Sequence, residues 1–111
     1  MPVTKSEVVI VLVTVPGLRE GRRISRAILT SRLAACVNVI PGVQSLYHWK
    51  GTMVLEKEVM LVMKTTRLRY RRLEQKIKQL HPYEVPEVIA VPLICGSPQY
   101  IEWVTREIAN R

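Results

Sequence analysis

The 111-residue chain is 48% apolar and 23% charged, enough for one domain over residues 1–111 with a real but modest core. Its longest apolar run, Val8 to Val13, is strand-sized and far below the ~18 residues that span a bilayer. The opening MPVTKSE carries neither a hydrophobic core nor a small-residue cleavage site, so no secretory signal and no membrane partner are expected, and a cytoplasmic location is. The net charge of +8 is uneven: residues 19–32 hold five arginines and one glutamate, residues 64–80 seven basic groups and Glu74, and the remainder is slightly acidic. Both basic segments read as helices, so either a polyanion or simple solvation accounts for them.

Val8 to Val15 predicts a buried strand closed by Thr14-Val15-Pro16-Gly17. A helix over about 18–32 follows, with Leu18, Gly21, Ser25 and Ile28 on one stripe and Ile24 beside it. Gly21 and Ser25 are small enough for close helix-to-sheet approach. Between Ala34 and Thr65 lies a hairpin whose first arm runs about 17 residues to the reversal at Lys50-Gly51. At ~3.3 Å per residue that arm would reach about 55 Å, against a diameter of roughly 35 Å for a compact chain of this length. It must bend, for which Pro41-Gly42 is suited, and overhang. An overhanging edge seeks another chain, so an oligomer is expected. A second helix spans 67–80, with Tyr70, Leu73, Ile77 and Leu80 inward, and Pro82 ends it. Val88 to Cys95 predicts a last strand, with Pro92 marking an edge or bulge. Ser97 as N-cap and Pro98 at the first helical position start a final helix bearing Ile101, Val104 and Ile108.

The order β-α-β-β-α-β plus a helix is an α+β, ferredoxin-like sandwich with an extra C-terminal helix. Its crossover helices cover one sheet face. Yet Val9, Val11 and Val13 alternate with Val8, Ile10 and Leu12, and Val59–Met63 and Val88–Val91 are also apolar at both parities. Sheets buried on both sides read this way, and a second subunit is the simplest cover. Cys36 and Cys95 lie in apolar runs without a CxxC and read as buried free thiols of a reducing compartment.

Three stretches, RLAACVNVIPGVQSLYHWKG (32–51), EVMLVMKTT (58–66) and HPYEVPEVIAVP (81–92), together with TVP (14–16) and YIEWV (100–104), resemble the CutA divalent-ion tolerance proteins over nearly the whole chain. The resemblance implies a ferredoxin-like subunit in a tight homotrimer shaped like the PII signalling proteins, a role in tolerance of copper and other divalent ions, and no established reaction. The family's copper pattern puts a cysteine before TxP and two histidines before PY. Here those positions hold Val13, Leu80 and His81, so His81 is the one metal candidate the resemblance transfers, and a local helix-ending hydrogen bond is its alternative. No cofactor is expected beyond a divalent cation such as copper.

Other chemistry is thinly represented. Met60 and Met63 form an MxxM, but positions three apart on a strand face opposite ways and read as core filling. Tyr47, Trp49, Tyr83, Tyr100 and Trp103, with Lys64 and Glu58, either anchor a subunit interface or line a ligand cleft in it. No aspartate exists for a Ser-His-Asp set, and glycine-rich phosphate loops and HExxH are absent, so the chain is expected not to be an enzyme. VVIVLVTV and EVMLVMKT lack the aromatics an RNA-binding sheet displays, so no specific nucleic-acid partner is expected. The reading is a cytoplasmic homotrimer for divalent-metal tolerance; the alternative is a PII-like sensor that binds a small molecule in its subunit clefts.

Overall fold

A valine-rich strand, β1 (Val8–Val15), forms the middle of the sheet because β-branched side chains suit a pleated surface buried on both faces. The computed structural model describes residues 7–109, so most of the N-terminal stretch read above for a signal lies outside it. After β1 come α1 (Leu18–Thr30), β2 (Cys36–Trp49), β3 (Thr52–Thr66), α2 (Arg67–Leu80), β4 (Val88–Pro92) and α3 (Pro98–Ala109). The sheet order is β2-β3-β1-β4, and every neighbouring pair is antiparallel. This is the expected ferredoxin-like arrangement with its added helix.

Alternation along β1 assigns the two faces. Val9, Val11, Val13 and Val15 point into one core with Ile24 and Ile28 of α1, Leu61 and Met63 of β3, and Leu73 and Ile77 of α2. Gly21 allows α1 to approach closely: a Cβ there would stand 3.3 Å from both Leu61 Cδ2 and Val15 Cγ2. Val8 points the other way, into a smaller cluster with Val104 and Ile108 of α3, flanked by Ala35, Leu93, Ile101 and Trp103. Elsewhere on that face Ile10, Leu12, Met60 and Val62 are only half-buried.

The hairpin behaves as its sequence predicts. Lys50 and Gly51 both have positive φ, 51° and 81°, as a tight two-residue reversal demands. The β2–β3 register slips between Ile40 and Val43, where Gly42 has φ 81° and Pro41 offers no N–H. Pairing of β1 with β3 stops at Val15–Val59. Beyond it, among the described residues, Val43–Trp49 and Thr52–Glu58 pair only with each other, as a two-stranded overhang.

Two boundaries and one cap differ from expectation. α1 stops at Thr30 because Arg32 turns left-handed (φ 56°) and the chain closes with Leu33 N–H to Ile28 O and Arg32 N–H to Leu29 O. β4 ends at Pro92 rather than Cys95, since proline cannot extend the ladder and the edge strand peels away. Cys95 is therefore exposed and Cys36 only half-buried, which corrects the reading of both as buried thiols. Ser97 supplies the carbonyl that accepts the Ile101 N–H at 3.0 Å, but its hydroxyl turns to Gln99 Oε1 at 3.1 Å instead of capping the helix.

Candidate functional site

The half-covered sheet face is a ladder of three rows. Val91, Ile10, Lys64 and Cys36 stand abreast; then Ile89, Leu12, Val62 and Asn38; then Thr14, Met60 and Ile40. Ile40, Ile89 and Val91 are exposed. Along the overhang Leu46 and Trp49 are each 62% exposed and Met53 63%. A surface with this many exposed apolar side chains is the kind that marks an interaction site.

Two polar clusters interrupt it. At the α3 end, the Lys64 ammonium donates to Asn38 Oδ1 and lies 3.9 Å from Cys36 Sγ. Tyr100, its ring tilted 32° to that of Trp103 at 5.6 Å, adjoins this group, and burial, with Cys36 beside it, pushes its phenol pKa up. Toward the other end, where Thr14 of β1 and Glu58 of β3 lie, sits His81 at the end of α2. Only 7% of it is exposed. Its Nε2–H donates to Thr14 O at 2.7 Å, and its Nδ1 accepts the Tyr83 N–H at 3.1 Å. A carbonyl only accepts and an amide N–H only donates, so these partners dictate the Nε2–H tautomer. The Tyr83 ring packs on the imidazole at 4.7 Å and its hydroxyl donates to Glu58 Oε2 at 2.8 Å. Burial first, then the Glu58 carboxylate, raises the Tyr83 pKa well above the usual phenol range.

The aromatic residues singled out in the sequence thus fall into three places within one chain. Tyr47 and Trp49 ride the overhang, where the Tyr47 hydroxyl donates to Glu56 across the strands; Tyr83 joins His81; Tyr100 and Trp103 belong to α3. Met60 and Met63 do face opposite ways, Met63 fully buried among the helices and Met60 on the ladder. Sequence reading missed Asn38 as the partner of Lys64. The antiparallel register places them one rung apart, and a hairpin count from Lys50-Gly51 would have found them but for the bulge.

The sequence profile of the CutA1 divalent ion tolerance proteins matches residues 9–107. The chain belongs to this family. It is 43% identical over 95 residues to the divalent-cation tolerance protein CutA of Thermus thermophilus, covering 86% of this chain and 92% of that one. It is 38% identical to the chloroplastic CutA protein of Arabidopsis thaliana over 92% of this chain, but spans only 56% of that relative's length. The crystal structure of CutA from Xylella fastidiosa superposes with a TM-score of 0.90 at 37% identity, over 92% of this chain and 98% of that one. Against this family background, the surroundings of His81 do not fit a permanently held metal ion. Both ring nitrogens are engaged, Glu58 is held by Tyr83, and Val13 is fully buried among the core valines. Among the described residues no three His, Cys, Asp or Glu side chains gather as a ligand set.

Proposed function

We propose that this CutA-family chain works in the cytoplasm as a non-enzymatic homotrimer in tolerance of, or response to, divalent metal ions such as copper, taking the cation weakly. The observation that carries the assembly is the overhang: among the described residues, the seven pairs from Val43–Glu58 to Trp49–Thr52 have no third strand beside them, and Leu46, Trp49 and Met53 stand exposed on them. A two-stranded ribbon is marginal by itself. Sister chains laid along its edges and over the open ladder would cover both. The functional half rests on the family and on relatives named for divalent-cation tolerance. His81 is the ligand proposed, and its grip is weak because a cation must displace one of two existing hydrogen bonds. Growth of a deletion strain under copper stress tests the role: rescue by this chain supports it and failure of well-expressed protein overturns it. Calorimetry with Cu²⁺ tests the ligand. His81→Ala should weaken binding at least tenfold, whereas equal binding by both proteins removes His81 from the account.

A second reading, a PII-like sensor of a small molecule in the subunit clefts, is favoured by Lys64 and Asn38, a polar pair set into an otherwise apolar face beside Tyr100. Such a handle suits an anionic group in a cleft that a second subunit would close. Thermal shifts separate the two readings, since a ligand of the native state raises the melting point. Metal ions alone should shift it under the first reading; nucleotides or metabolites should under the second.

A further inference from the structure

α1 and α2 pack side by side on the face of the sheet away from the ladder, and their outward surface is strongly basic. Arg19, Arg22, Arg23 and Arg26 recur at helical spacings of three, one and three, opposite the buried Gly21, Ile24, Ser25 and Ile28. All four are exposed, and together they line an open recess of about 570 Å³ with no acid in its wall. Arg23 reaches across to α2, where its Nη2 donates to Leu80 O at 2.9 Å, so the two helices present one surface. On α2, Arg72 is also exposed. Among the described residues the ion pairs are Arg32–Glu107, Lys78–Glu74 and Arg106–Glu102, and none involves these five arginines. The one acid on this part of α1, Glu20, lies in the first turn and is half-buried.

Four guanidinium groups within two helical turns repel one another unless an anion stands among them. Arginine's planar fork binds phosphate oxygens in pairs, which lysine cannot match. We propose that this arginine face is a binding surface for the phosphodiester backbone of nucleic acid, read by charge and not by base sequence. A membrane is the poorer occupant because the apolar stripe of α1 is spent on the core, leaving no face to insert among acyl chains. The surface is also the one left free if the ladder and overhang are used for assembly, so each subunit of an oligomer would display it.

The test is fluorescence anisotropy of a labelled mixed-sequence 20-mer duplex titrated with the full chain at about 50, 100 and 200 mM salt. The proposal expects micromolar or tighter binding at the lowest salt. It also expects a log–log salt slope of about −4 or steeper, since each neutralised phosphate contributes roughly −0.9. Arg22→Glu with Arg26→Glu should lose at least tenfold, and the gentler Arg22→Gln with Arg26→Gln at least threefold. The same charge reversal on the hairpin, Lys50→Glu with Lys57→Glu, should stay within twofold. Circular dichroism and light scattering on each variant keep folding and assembly in view. Undetectable binding at 50 mM salt overturns the proposal, as does an equal loss from both charge-reversed pairs. Tight binding to vesicles containing anionic lipid without binding to the duplex, or full competition by millimolar inorganic phosphate, overturns it in favour of a lipid surface or a small anion.

Discussion

His81 and Tyr83 form a clasp rather than an open ligand set. One imidazole ties the end of α2 to the Thr14 carbonyl of β1, and the tyrosine beyond it closes onto Glu58. Because Glu58 is 8% exposed, losing its phenol partner leaves a carboxylate short of solvent. Tyr83→Phe is therefore expected to cost about 1–3 kcal/mol at neutral pH by denaturant unfolding. The same contact has a pH signature. Tyr83 and Tyr70, the latter raised to about 12 by burial and by Glu74, hold their protons longer in the folded chain than in the unfolded one, whose phenols ionise near 10. Their contribution is whole below pH 10 and is lost as the pH climbs through the folded values. Stability should therefore fall from pH 10 to 12, and Tyr83→Phe should make that fall shallower. An unchanged slope would show that the Tyr83 phenol is not buried on Glu58. Arg32 offers a second residue-scale test. Its left-handed backbone costs about 1 kcal/mol relative to glycine, while its Nη1 donates to Glu107 O at 3.1 Å and to Glu107 Oε1 at 2.9 Å, a partly exposed contact worth about as much. Arg32→Gly should lie within about 0.5 kcal/mol of the parent, and Arg32→Val should lose more than 1 kcal/mol.

At the scale of elements, the contact between α1 and the sheet depends on the missing side chain at Gly21. Alanine there would gain up to ~1 kcal/mol of helix propensity but press on Leu61 and Val15 at 3.3 Å, so Gly21→Ala should be close to neutral. Gly21→Leu has no such room and is expected to cost about 1–3 kcal/mol by overpacking. Chemical denaturation of the two variants checks both figures, and a neutral leucine would mean α1 can ride away from the sheet. The helices were legible because their apolar residues keep a period near 3.6, and α2 indeed spans Arg67–Leu80 as predicted. Their ends were less so. The α1 terminus is decided by a left-handed arginine, a conformation that sequence preference assigns to glycine or asparagine. The β4 terminus is decided by where an edge strand leaves its neighbour, which has no local signal beyond Pro92.

For the whole molecule, the extents of 44 × 30 × 22 Å reflect an arm that outruns its sheet. If sister chains complete it, light scattering should give about three times 12.8 kDa, and the melting temperature should rise with protein concentration. Trp49→Glu, at a position 62% exposed in the single chain, should then lower the measured mass while leaving the helix signal in circular dichroism. A native particle of one chain's mass in the parent protein would remove the assembly, and with it the proposed trimeric function.

Sequence alone determined the element types, the ferredoxin-like order, the reversal at Lys50-Gly51 and the bend at Pro41-Gly42, because each follows from local periodicity or from the φ that glycine and proline permit. Only the tertiary structure decided which polar groups meet. The bulge at Ile40/Val43 sets which rung of β2 faces Lys64, and the loop after α2 brings His81 to the Thr14 carbonyl, 67 residues away in the chain. Partners so distant are chosen by how sheet and helices pack, a global balance of buried area and hydrogen bonds that no single stretch of residues contains.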